Sequence, residues 1–127
     1  MSDVVLDASV FLAILKEAPF DQGVLDVLEG ASMSTVNVAE VFSTLSDHGL
    51  QDSPRVNALF DLLGRIVSFS EAQAYAAGRL RPLTRAHGMS LGDRACLALA
   101  LEINAEVYTA DRAWARLEVG VAIHLIR

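Results

Sequence analysis

The chain is poor in cysteine, lysine and aromatic residues, and it carries no surplus of positive charge. Its single cysteine, Cys96, excludes an intrachain disulfide framework and a zinc site built from thiolates. One lysine, Lys16, and a balance of 10 Lys+Arg against 16 Asp+Glu give a net charge of −6, which argues against a broad basic face for nucleic acid. No apolar run is long enough to span a bilayer. The opening run Val4 to Leu15 is broken by Asp7 and has no basic lead in Met1-Ser2-Asp3, so a cytoplasmic protein without a membrane anchor is expected. Neither Gly-x-Gly-x-x-Gly nor Gly-x-x-x-x-Gly-Lys occurs, so no nucleotide cofactor is expected.

What is present is a globular composition, 53% hydrophobic and 20% charged over 127 residues, the length of one domain spanning 1–127. Short β-branched apolar runs alternate with stretches of helical period, which predicts βα units on a buried parallel sheet of four to five strands. The expected strands are Val4 to Leu6, Ser32 to Val36, Ile66 to Phe69, Glu106 to Thr109 and Val121 to Ile126. Helices are expected over Val10 to Lys16 and over Pro19 to Leu28, the latter closed by Gly30. The stripe Val38, Val41, Phe42 and Leu45 predicts a third helix, and Ser53-Pro54 opens a fourth with Val56, Leu59, Phe60 and Leu63. Glu71 to His87 reads as helix that Pro82 should kink or split, Leu91 to Ile103 as a central helix, and Asp111 to Leu117 as a short last one.

Four acids stand at the boundaries of these units. Asp7 ends the first strand, Glu40 lies in the first turn after the second, Asp93 opens the central helix, and Asp111 follows the fourth strand. In an open parallel sheet those ends share one edge, where ligands bind. Each acid has an ordinary structural explanation as well: Asp7 and Asp111 as helix caps, Asn37-x-x-Glu40 and Ser90-x-x-Asp93 as capping boxes. Taken together they strain that explanation, because Asp7 sits in an apolar run and like charges 4 Å apart repel by roughly 4 kcal/mol at an effective dielectric near 20. A divalent cation relieves both costs, and all-oxygen donors favour Mg²⁺ or Mn²⁺ over zinc. His48, His87 and His124 show no ligand spacing.

At these residues the sequence resembles the PIN-domain family, in particular its VapC-type ribonuclease toxins. The segments that carry the resemblance are Val4-Val5-Leu6-Asp7-Ala8-Ser9-Val10, Asn37-Val38-Ala39-Glu40-Val41, Ser90-Leu91-Gly92-Asp93-Arg94-Ala95 and Val107-Tyr108-Thr109-Ala110-Asp111-Arg112. The resemblance implies a three-layer α/β/α sandwich, an acidic site of Asp7, Glu40, Asp93 and Asp111 binding Mg²⁺ or Mn²⁺, supporting hydroxyls at Ser9 and Thr109, and hydrolysis of RNA. It also implies a homodimer and an antitoxin protein whose arginine enters the acidic site. Many relatives carry a further acid where this chain has Ala113, which leaves the number of metal ions open.

Cutting RNA requires cations, and arginine must supply them here. Arg94 and Arg112 directly follow site acids and Arg116 lies one turn beyond Arg112, so these three are the candidate phosphate contacts; charge balance on a solvated rim is the alternative. Arg79, Arg81 and Arg85 form a second, less specific cluster. A non-cleaving PIN-like module that binds RNA or protein is the competing function. A dehalogenase-type phosphatase would need Asp-x-Asp at the first strand, and a phosphorelay receiver a lysine at a later strand end; the sequence has neither.

Overall fold

A computed structural model describes residues 3–16 and 23–127. Among the described residues five strands, β1 (Val4–Leu6), β2 (Ser32–Ser34), β3 (Arg65–Val67), β4 (Glu106–Thr109) and β5 (Ile123–Leu125), form one sheet in the order β3-β2-β1-β4-β5. Every pairing is parallel, with Val5 opposite Ser32 on one side and Val107 on the other. The reversal of strand order beside β1 puts its carboxyl end at the crevice where open α/β sheets bind ligands.

Helices cover both faces. Successive strand residues point to opposite sides, so Leu6 and Met33 join one core while Val5 and Val107 join another. The first core is closed by α1 (Ala8–Leu15), α2 (Gly23–Leu28), α3 (Thr35–Asp47) and α4 (Pro54–Asp61), through Phe11, Leu28, Val41 and Val56. The second is closed mainly by α7 (Leu91–Ile103), through Cys96, Leu97, Leu99 and Ala100, with Trp114. Helices α5 (Glu71–Arg79) and α6 (Arg81–Thr84) pack outside, α5 against α7. The result is the expected α/β/α sandwich. No described helix is long and apolar enough to cross a membrane.

Several boundaries differ from the sequence reading, each for a local reason. The second strand stops at Ser34 rather than Val36, because the Ser34 hydroxyl accepts the Val36 amide at 3.2 Å and starts α3 at Thr35. The third strand runs Arg65–Val67 and does not reach Phe69, whose amide donates to the Thr35 hydroxyl instead. The last strand is shorter than Val121 to Ile126. Ala8, not Val10, opens α1, directly after Asp7. The part of the second predicted helix before Gly23 lies outside the described residues, and Gly30 after it has φ 85°, the left-handed geometry expected of it. Pro82 does split its segment, into α5, α6 and a 3₁₀ turn at Arg85–His87. The helix expected over Asp111 to Leu117 is only a 3₁₀ turn, Arg112–Trp114.

Candidate active site

The best-defined part of the site lies between β1 and β4. Their register sets Leu6 opposite Tyr108, so the next residues, Asp7 and Thr109, emerge side by side. Asp7 is 4% exposed and stands at the N-cap of α1, yet its carboxylate makes no capping hydrogen bond. It is held instead by two hydroxyls: Ser9 donates to Oδ1 at 2.6 Å and Thr109 to Oδ2 at 2.8 Å. Those hydroxyl oxygens in turn accept the amides of Ala110 and Asp111, at 2.8 and 3.0 Å. The oxygens of Ser9 and Thr109 are 3.2 Å apart, but each has committed its one hydrogen to Asp7. Both carboxylate oxygens are thus fixed in direction. Burial pushes the Asp7 carboxyl up from 3.8 to about 6; the Ser9 and Thr109 hydroxyls oppose the rise and the charge of Asp93 adds to it.

The second part of the site is built by two helices. Because β2 ends early, Glu40 sits in the second turn of α3, not the first, and Asn37 is inside the helix rather than its cap. The cap is Ser34, which corrects the capping-box reading of Asn37 and Glu40. Asn37 is fully buried, and its side-chain amide donates to Glu40 Oε1 at 2.8 Å and to the Gly92 carbonyl at 3.1 Å. Glu40 lies so close to Gly92 that a Cβ there would collide with its carboxylate. Burial raises the Glu40 carboxyl, the Asn37 amide opposes this, and Asp93 raises it further.

Asp93 stands in the first turn of α7. The capping box with Ser90 is present: the Ser90 amide donates to Asp93 Oδ2 at 2.9 Å and the Asp93 amide to the Ser90 hydroxyl at 3.1 Å. Its carboxyl is nonetheless raised, by burial first, with the Ser90 bonds opposing and the Asp111 charge adding. Asp111 is exposed and caps the following 3₁₀ turn through the Ala113 amide at 2.9 Å. The acids are therefore coupled through Asp93, which acts on both Asp7 and Glu40 and is acted on by Asp111. Cys96 lies under the same rim, fully buried, its thiol pushed up by burial and by the charges of Asp7, Asp93 and Glu40. A thiol in that setting is neither a nucleophile nor a ready metal ligand.

All donors at the rim are oxygens, which suits a hard divalent ion. As the side chains are placed, no three described His, Cys, Asp or Glu residues converge closely enough to hold one. The histidines lie elsewhere: His48 caps the end of α3, His87 ends a 3₁₀ turn, and His124 stacks on Tyr108 and lies 3.3 Å from Glu106.

The arginines divide. Arg94 turns away from the rim and donates to the Ala77 carbonyl of α5 at 3.0 Å. Arg112 and Arg116 are exposed, and Arg112 lines a cavity of about 700 Å³ together with Ser9, Ala110, Asp111 and Arg127. Arg127, which sequence reasoning missed, enters it by donating to the Ala110 carbonyl at 3.3 Å. Arg79, Arg81 and Arg85 are exposed on the far helices. The sequence paired Asn37 with Glu40 as a capping box, but missed the bond between their side chains, the bond from Asn37 to the Gly92 carbonyl, and the need for glycine at 92; the unexplained glycine between Ser90 and Asp93 was the signal for the last.

Comparison with known proteins agrees with this architecture. Among solved structures the chain is similar to VapBC2 from Rickettsia felis bound to a promoter DNA fragment, with 19% identity, 98% of each chain covered and a TM-score of 0.73. It is similar also to DNA-bound VapBC from Salmonella typhimurium, with 16% identity, 98% of each chain covered and a TM-score of 0.71. VapBC-5 from Mycobacterium tuberculosis gives 22% identity, 100% of this chain and 99% of that one covered, and a TM-score of 0.66. At such identities the likeness is one of fold. No curated protein matches the chain. The model of the PIN-domain family, however, matches residues 4–120, from the first strand past the fourth and across all four rim carboxylates, and the chain belongs to that family.

Proposed function

We propose that the protein is a metal-dependent endoribonuclease that acts as the toxin of a toxin–antitoxin pair. The observation that carries this reading is the Asp7 carboxylate: it is buried at the switch point of the sheet, held by two hydroxyls, and raised by burial and by a second acid. A group kept there at that cost suits a cation that completes it. Asp7 and Asp93 are the first choices as ligands for Mg²⁺ or Mn²⁺, with Glu40 and Asp111 completing the set. When bound, such an ion supplies an acidic water and neutralises charge that develops on phosphate. Ser9 and Thr109 hold the Asp7 carboxylate in one orientation. Arg112, Arg116 and Arg127 draw the RNA backbone toward the acids. The fold shared with VapBC complexes supports an antitoxin as protein partner. A homodimer and a cytoplasmic location belong to the same proposal.

The test is cleavage of single-stranded RNA by the purified protein. Cleavage that needs Mg²⁺ or Mn²⁺, stops with a chelator, and drops at least about 100-fold in Asp7→Asn is expected, since even a group behind a metal ligand is worth up to that much. Undiminished cleavage by Asp7→Asn would falsify the assignment.

One observation favours a second reading, a PIN-like module that holds RNA or protein without cutting it. Asp93 accepts the Ser90 amide and Asp111 the Ala113 amide, and among the described residues no three acids converge. Calorimetric titration separates the two: Mn²⁺ binding supports the nuclease, and none at millimolar ion supports the module.

A further inference from the structure

We infer that Asn37 is a positioning residue, whose side-chain amide fixes the Glu40 carboxylate against the start of α7 and so presents it to the acidic rim. This rests on the nuclease reading, with Glu40 as one of the groups that bind the ion.

The geometry has three parts. First, the two hydrogens of the Asn37 amide go to two acceptors, Glu40 Oε1 at 2.8 Å and the Gly92 carbonyl at 3.1 Å. That pattern fixes which way the amide faces, because its oxygen in the same place would meet two acceptors. Second, Asn37 Oδ1 is buried and has no partner. A buried acceptor left without a donor works against stability, and the neighbouring core position Val41 shows that an apolar side chain fits this face of α3. The amide is therefore explained by what its two hydrogens hold, the Glu40 carboxylate and the Gly92 carbonyl. Third, Gly92 has no side chain where Glu40 sits, so the α7 backbone can approach the carboxylate and its carbonyl can be reached by Asn37.

Without Asn37, the half-buried Glu40 carboxylate loses the side-chain donor that holds it. With it, the Glu40 carboxylate on α3 is tied to the Gly92 carbonyl of α7, one residue before Asp93. The same arrangement explains why Glu40 can belong to the site although it lies off the apolar stripe of α3. Groups behind metal-binding residues characteristically change affinity by about 10- to 100-fold.

The experiment is calorimetric titration of Mn²⁺ alone into the full chain and into Asn37→Ala, Glu40→Gln and the double variant, with thermal melts as the check on folding. Asn37→Ser, which leaves a smaller hole, takes the place of Asn37→Ala if the latter does not fold. The expected result is Mn²⁺ affinity lowered about tenfold or more by Asn37→Ala, with the double variant no weaker than Glu40→Gln alone. If the two losses multiply, or if Asn37→Ala binds Mn²⁺ as tightly as wild type, Asn37 does not act through Glu40 and the inference fails while the nuclease reading stands. If wild type itself binds no Mn²⁺, both fail.

Discussion

The two halves of the acidic rim are made in different ways. Between β1 and β4 a carboxylate is fixed by strand register: pairing Leu6 with Tyr108 delivers Asp7 to Thr109, and hydroxyls finish the job. Between α3 and α7 a carboxylate is fixed by helix packing, through an amide and an absent side chain. The strand half depends on the register of two hydrogen-bonded strands; the helix half depends on how closely two helices approach. Substitutions should therefore break the two halves in distinguishable ways.

The largest effect is expected on the strand side, in the stability of the protein in chelator. Asp7 has its carboxyl raised from 3.8 to about 6, so the folded state holds a proton that the unfolded chain releases earlier. The stabilisation from that proton is complete below the unfolded value and disappears as pH rises through about 6, roughly 3 kcal/mol in all at about 1.4 kcal/mol per pKa unit. Melting temperatures of the metal-free protein should fall from pH 4 to pH 7, and Asp7→Asn should remove most of that slope. Glu40 and Asp93, raised in the same direction, leave a smaller residual slope. A wild-type protein with no such slope would contradict the burial argument.

On the helix side, Gly92→Ala places a Cβ against the Glu40 carboxylate, which must move. Mn²⁺ affinity should fall between about 10- and 100-fold while the melting temperature changes little, because the displaced atoms are the end of a side chain. Unchanged affinity would mean that Glu40 is not part of the ion site.

The smallest effects should come from the hydroxyls. Thr109→Val removes one of two donors to Asp7, should lower RNA cleavage about tenfold, and should shift its pH profile upward as the carboxyl rises further. Thr109→Ser keeps the donor and should stay within about twofold of wild type. Equal losses in both variants would point to packing of the methyl group instead.

The strand half was largely legible in the sequence. β1 and β4 have the limits expected of them, and the acids at their ends follow from those limits. The helix half was less so. The β-branched pair Thr35-Val36 suggested a longer β2, whereas a single hydroxyl at Ser34 starts the helix and moves Glu40 one turn further in. Nothing in the spacing of Asn37 or Gly92 says that α3 and α7 will touch there. Arg94 adjoins Asp93 in sequence, but one residue along a helix is a turn of about 100°, and its guanidinium faces α5. Arg127 reaches the rim only because β5 lies beside β4.

The hydroxyl clamp on Asp7 also has a consequence for biosynthesis. Thr109 is separated from Asp7 by 102 positions, and both amides that complete the clamp follow it in the chain. A nascent chain that has already formed α1 through α7 still lacks the strand that orients its first carboxylate. Contacts of such long range form late and together with the whole fold. The enzyme we propose would thus have no finished site until β4 has been made, and its capacity to cut RNA would begin with the folding that brings β4 beside β1.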